Sequence, residues 1–362
     1  MQQSGNTYVA IMAGGIGSRF WPQSRTAKPK QFLDILNVGR TLLQLTFERF
    51  AKIVPAENIY VVTNDAYATL VKEQLPALTD SQILKEPMRR NTAPCITYAC
   101  DKIYAKDKNA TIIITPSDHL ILQEKNFLEV IDKCVNYVTD NGFLVTIGVK
   151  PTKPATGYGY IQFEEEDAGA GFHKVKTFTE KPTVELAKTF LTSGDFLWNS
   201  GMFVWKAKTL LRAIVKHLPE VAEAFREGQH HYDKHSEQKF IREAYSQCTN
   251  ISIDYGVMEK AENVYTLPAQ FGWSDIGSWD ALYDVYEHDY LGNAVSGKKV
   301  KIYDAAHNMI MVPNDKLVVV QGLDGYCVVD TGDVLLICQK DKEQEVKQIT
   351  VDLKVADLDK YL

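Results

Sequence analysis

The sequence predicts an α/β fold followed by a smaller all-β segment. The expected core is a mostly parallel mixed sheet with helices on both faces over residues 1–289. A β-rich packing domain is expected over 290–362. Three observations predict this. Short apolar runs rich in β-branched residues recur at 8–12, 58–63, 110–115 and 143–149, each the length of a buried strand. The stretches between the first of them, such as 41–51 and 66–74, carry helical periodicity, and strands alternating with helices favour a parallel sheet covered on both sides. After Tyr290 the runs 300–303, 317–320, 326–329 and 334–338 alternate with Asn, Asp and Gly turns, which is all-β packing in a β-helix-like coil.

Bulk properties narrow the function. With 362 residues the chain has room for about two domains, and at 45% hydrophobic and 24% charged it can bury a full core. A net charge of -6 favours neither nucleic acid nor an acidic membrane as partner, so an anionic substrate must be held by local cations and metal. The six cysteines form no Cys-x-x-Cys pair and sit mostly among apolar neighbours, as buried free thiols do. No run reaches about 18 apolar residues and no basic region precedes an apolar one, so a soluble cytoplasmic protein is expected.

The first strand runs into Ala13-Gly14-Gly15-Ile16-Gly17-Ser18-Arg19, continuing to Lys28-Pro29-Lys30-Gln31-Phe32. Glycines after a buried strand let backbone N–H groups approach a polyphosphate. Arg19 can grip phosphate oxygens in a fork, and Lys30 adds a point charge. No Gly-Lys-Ser/Thr closes a Walker loop, and Phe20 stands where a dinucleotide fingerprint needs its third glycine. The glycines alone fit a tight strand-to-helix turn equally well.

Further along, the polar segment 86–94 follows a short strand, at the sheet edge where ligands bind in open α/β folds. Glu86 could accept from guanine N1–H and N2–H, or be a loop acid beside a helix cap at Asn91 or Thr92. Asp118, just past the clearest strand, is placed to hold Mg²⁺ or to cap a helix, and His119 reads as structural. Gly157-Tyr158-Gly159 suits a sugar ring against backbone, or a glycine-relieved hairpin. Glu180 could accept from sugar hydroxyls with Lys181 on the sugar's phosphate; the alternative is an exposed ion pair. Asn199 is an amide beside a glycine turn, suited to hydroxyl recognition. The stretch 210–245 reads as helical, with His230, His231 and His235 on a solvated face, and Asp254 as a helix cap. Asp275, framed by two tryptophans and two glycines, is the second metal candidate, with capping as its alternative. Residues 344–362 read as polar and helical.

Taken in order, these strings resemble the sugar-nucleotide pyrophosphorylases over most of residues 7–345. The Pro29-Lys30-Gln31-Phe32 ending, Glu86-Pro87-x-x-Arg90-Asn91-Thr92-Ala93-Pro94 and Ser252-Ile253-Asp254-Tyr255-x-x-Met258-Glu259 resemble the short mannose-1-phosphate guanylyltransferase branch. The resemblance implies a Rossmann-like nucleotidyltransferase that takes GTP and mannose 1-phosphate to GDP-mannose and pyrophosphate. On that basis Ala13, Gly14, Gly15, Gly17, Ser18, Glu86, Asn91, Thr92 and Ala93 bind nucleotide. Gly157, Tyr158, Glu180, Lys181 and Asn199 bind the sugar phosphate, Asp118 and Asp275 hold Mg²⁺ or another divalent ion, and Arg19, Lys30 and Lys181 are catalytic. A homodimer paired through the β-rich domain is expected. A sugar phosphate dianion, with a second pKa of about 6, needs no base to become a nucleophile, so charge neutralisation is the main task. The same chemistry on a heptose, fucose or glucose phosphate remains open, as does a non-catalytic sugar-nucleotide-binding regulator.

Overall fold

The computed structural model describes residues 5–362. The chain divides into two compact units, each discontinuous in sequence. The first contains residues up to Gly14, Gln44–Ser117 and Ile121–Trp273; the second contains Gly15–Leu43, Asp118–Leu120 and Ser274–Leu362.

The first unit is built on a nine-stranded mixed sheet. Its strand order is Ile83–Glu86, Ile59–Asn64, Thr7–Met12, Thr111–Pro116, Phe196–Lys206, Leu144–Val149, Val264–Ala269, His173–Glu180 and Gly159–Asp167. The first four strands are mutually parallel, so their C-terminal ends share one edge. Phe196–Lys206 runs antiparallel to both of its neighbours in that order. Val9, Ile11, Val61, Ile112 and Ile114 are all fully buried, as strands covered on both faces require. The helix Thr92–Lys106 buries Ile96, Tyr98, Ala99, Cys100 and Ile103. Among the described residues no helix is long and apolar enough to cross a membrane.

Asn64 caps the turn before Ala68–Gln74, because its Oδ1 accepts from Ala66 N at 3.0 Å. Several local expectations change. The 210–245 stretch breaks into helices Ala207–His217, Pro219–Phe225 and Glu237–Gln247, and Pro219 sits in the first turn of the second. Asn199 lies inside the long strand Phe196–Lys206, where the register with Leu144–Val149 slips and Gly201 takes φ 67°. This is a bulge rather than a turn before a strand. A buried ion pair ties two helices: Lys102 Nζ donates to Glu237 Oε1 and Oε2 at 2.8 and 2.9 Å, and Glu237 Oε1 also accepts from Tyr98 at 2.6 Å.

The second unit contains the β-helix-like coil. Ala294–Ser296, Met309–Met311 and Tyr326–Asp330 stack in parallel, and Val300–Tyr303 stacks parallel to Val318–Gln321. Ile310, Val312, Val320 and Val328 form its core. Buried asparagines pin successive turns. Asn308 Nδ2 donates to Asn293 Oδ1 at 2.9 Å, and Asn308 Oδ1 accepts from Tyr326 N at 2.8 Å. The segment 15–43 is tied into this same unit. Arg25 grips Asp333 through two bonds of 2.6 and 2.7 Å, Trp21 Nε1 donates to Tyr361 O at 2.7 Å, and Tyr286 donates to Ile35 O at 2.8 Å.

Candidate functional site

In the second unit a cavity of about 270 Å³ is lined by Gly17, Ser18, Arg19, Lys30, Asp118 and Asp275, with His119 and Gly277 on its wall. The glycine loop owes its path to one position above all. Gly17 takes φ 58°, and a Cβ there would lie 2.8 Å from the Lys30 Cβ. Gln31 Nε2 donates to Gly15 O at 2.8 Å and holds the loop from behind.

Lys30 is only 3% exposed. Its Nζ donates to Asp118 Oδ2 at 2.8 Å, to Asp275 O at 2.8 Å and to Ile276 O at 2.9 Å. Three donors meet three acceptors, so the ammonium is fully paired within the protein. Burial pushes the Asp118 carboxyl up, but Lys30, helped by His119, outweighs it and holds the group below the usual carboxylate range. Its side chain keeps 31% exposure toward the cavity.

Asp275 is set by the turn that carries it. Its Oδ1 accepts from Gly277 N at 2.8 Å, and a Cβ at Gly277 would stand 2.5 Å from Oδ2. Between them Ile276, a β-branched residue, takes φ 40°. Such strain persists only where the surroundings over-determine it. Here the two carbonyls bound to Lys30 flank or belong to the strained residue. Asp118 and Asp275 therefore share one cavity, and neither caps a helix in the structure.

The first unit carries the remaining candidates. Glu86 is 7% exposed at the end of its strand, and Tyr245 donates to its Oε1 at 3.0 Å. Burial raises its pKa to about 7, with the Tyr245 bond and Arg89 opposing. A Cβ on Gly14 would lie 3.0 Å from Glu86 Oε2, so the loop's first glycine and this carboxylate are neighbours. Ala13 is fixed in backbone, donating to Val62 O at 2.7 Å and accepting from Thr63 Oγ1 at 2.9 Å. Asn91, at φ 64°, caps the following helix through Thr92 N at 2.9 Å. Thr92 Oγ1 accepts from Ile253 N at 2.9 Å, and Ala93 N donates to Ile251 O at 3.1 Å.

On the other side of this unit Lys181 Nζ donates to Glu180 Oε1 at 2.6 Å, and Lys181 itself takes φ 47°. The close backbone approach falls at Gly159, whose Cβ would meet Glu180 Oε2 at 2.5 Å; Gly157 is open to solvent. The Tyr158 ring lies 5.0 Å from Trp198 and 5.1 Å from Trp273. Asn199 Nδ2 donates to Asp254 Oδ1 at 2.8 Å, and Asn199 Oδ1 accepts from Gly201 N at 3.1 Å. Asp254, expected to be a helix cap, instead orients this amide. Burial raises its pKa and the Asn199 bond opposes. Sequence reasoning missed Asp254 and Tyr245 as partners and left His119 off the cavity wall. The only available signal was their place beside motif residues.

Comparison with known proteins then gives the family. Residues 8–290 match the nucleotidyl transferase family model, and residues 297–353 match the mannose-phosphate isomerase/GMP-like β-helix domain. Mannose-1-phosphate guanylyltransferase RfbM of Salmonella typhimurium is 36% identical over 97% of this chain and 73% of its own length. Alginate biosynthesis protein AlgA of Pseudomonas aeruginosa is 37% identical over 95% of this chain and 71% of its own length. A crystal structure from Thermus thermophilus, named a mannose-1-phosphate geranyltransferase, superposes with a TM-score of 0.86 at 31% identity, covering 96% of this chain and 99% of that one. The chain belongs to the nucleotidyl transferase family, in the group that carries a mannose-phosphate isomerase/GMP-like β-helix after the transferase fold.

Proposed function

We propose that the protein transfers GMP from GTP to mannose 1-phosphate, releasing pyrophosphate and forming GDP-mannose. The observation that carries the reading is the cavity that gathers Arg19, Lys30, Asp118 and Asp275 against the glycine loop. Its relatives' names supply the nucleotide and the sugar. In this reading Glu86 accepts from the guanine edge, with Gly14, Gly15, Gly17 and Ser18 along the phosphates and Asn91, Thr92 and Ala93 shaping the base pocket. Glu180 and Asn199 hold sugar hydroxyls, Tyr158 covers the ring, and Lys181 orients the attacking phosphate. Residues 1–289 carry the chemistry, and 290–362 pack and pair subunits.

Asp118 and Asp275 would hold Mg²⁺. Among the described residues no group of three His, Cys, Asp or Glu side chains gathers to hold a metal, and two carboxylates alone suit an ion that completes its shell with phosphate oxygens and water. When bound, it would neutralise charge between the two anions. The sugar phosphate attacks the α-phosphorus in line, as a dianion that needs no base. Arg19 stabilises charge on the departing pyrophosphate, and Lys30 acts with it by holding Asp118 and the Asp275–Ile276 turn in position. Leu317, Val319, Leu335 and Ile337, each more than half exposed on the β-rich segment, support a homodimer, which light scattering tests directly. The six free thiols support a reducing, cytoplasmic setting.

The decisive experiment measures pyrophosphate release from GTP, ATP and UTP with mannose, glucose, fucose and heptose 1-phosphates. Release confined to GTP with mannose 1-phosphate is expected. Preference for another sugar would replace the substrate, and no release with any pair would leave only a binding protein.

A further inference from the structure

One wall of the phosphate cavity comes from a stretch with no recognisable motif. Lys347, on the helix Val346–Val355, lines the cavity with Gly17, Ser18, Arg19, Asp118 and Asp275. The helix is anchored where it matters. Val346 is fully buried, the helix packs on the turn Ser18–Phe20, and the Tyr361 carbonyl beyond it accepts from Trp21 Nε1 at 2.7 Å. Lys347 is thus a long-stemmed cation on a fixed base beside the glycine loop.

The charges around the cavity explain what such a cation does. Lys30 spends its three protons on Asp118 and two carbonyls, so the pair is internally compensated. Among the described residues the side chains of Arg19 and Lys347 have no hydrogen bond or ion pair. Against them stands Asp275 alone. Two uncompensated cations on a small cavity bordered by Gly17 and Ser18 form a receptor for a polyanion.

We propose that Lys347 is a phosphate ligand of the active site, binding the polyphosphate of the incoming nucleotide and the pyrophosphate product. This rests on the function proposed above and extends it, because the β-rich part of the chain then supplies a substrate contact as well as packing.

Inorganic pyrophosphate with Mg²⁺, titrated calorimetrically, probes the contact without any sugar. Lys347→Gln should weaken pyrophosphate binding and raise the KM for GTP about tenfold or more, as loss of a charge-assisted contact does. The KM for mannose 1-phosphate should not move, and Lys347→Arg should retain most of the affinity. Lys342→Gln removes an equal charge from an exposed site off the cavity and should change nothing. Unchanged pyrophosphate affinity in Lys347→Gln, or an equal loss in Lys342→Gln, would overturn the proposal. A wild-type protein that binds pyrophosphate through Lys347 yet makes no GDP-mannose would overturn the functional reading instead.

Discussion

Replacing Glu86 by Gln gives a change whose size follows from the structure. Burial lifts the Glu86 pKa from 4.5 to about 7. The folded protein therefore binds this proton more tightly than the unfolded chain. Stability from this group is fully present below pH 4.5 and is lost as pH rises toward 7. At 1.36 kcal/mol per unit the loss amounts to about 3 kcal/mol. Gln cannot ionise, and its carbonyl can still accept from Tyr245, so Glu86→Gln escapes the loss. The stability difference between variant and wild type should grow in the variant's favour by about 3 kcal/mol between pH 4.5 and 8.5. Urea unfolding followed by tryptophan fluorescence measures it. Nucleotide binding should move the opposite way, because an amide presents a donor to the guanine N1–H: the GTP affinity of the variant should fall tenfold or more at pH 8. A stability difference that stays flat across this pH range would refute the burial argument. Unchanged GTP affinity would refute base recognition by this side chain.

Other perturbations address the cavity beside the glycine loop and the core. Lys30→Ala should lower kcat about 10²- to 10³-fold with little change in GTP affinity, because Asp118 and the Asp275–Ile276 turn lose the cation that holds them in position; stopped-flow binding and steady-state rates separate the two. Gly277→Ala puts a Cβ 2.5 Å from Asp275 Oδ2, displacing the carboxylate, so the Mg²⁺ concentration for half-maximal rate should rise at least tenfold in a metal titration. Lys102→Met leaves Glu237 charged and buried without its cation, and should cost about 3–5 kcal/mol in chemical unfolding. Turnover of a chiral α-phosphorothioate of GTP should invert configuration at phosphorus, as read by ³¹P NMR; retention would require a covalent intermediate.

The central strands were legible because each is a short β-branched run and burial on both faces leaves no polar alternation to confuse the reading. The glycine loop and both aspartates stood out because each sits in a continuous string, and the structure brings Gly17, Asp118 and Asp275 to one cavity. What could not be read was partnership across the chain. Lys30 meets the carbonyls of Asp275 and Ile276, 245 and 246 residues away, and nothing local distinguishes a fully paired lysine from one free to meet phosphate. The Asn199 bulge depends on a register slip against Leu144–Val149, a property of two strands and not of one. Lys347 escaped notice because its stretch has no strong periodicity or signature. Only the cavity wall identifies it.

The discontinuity of the second unit bears on how the protein matures on the ribosome. The signature loop lies in residues 15–43, but the groups that hold it are made more than 200 residues later: Asp275 and Ile276 for Lys30, Asp333 for Arg25, Tyr361 for Trp21. A nascent chain released from the exit tunnel up to Trp273 has its large sheet but none of these clasps. Catalytic competence should therefore emerge only after residues 274–361 are free to fold, and ribosome-stalled chains of increasing length should show no pyrophosphate release until then.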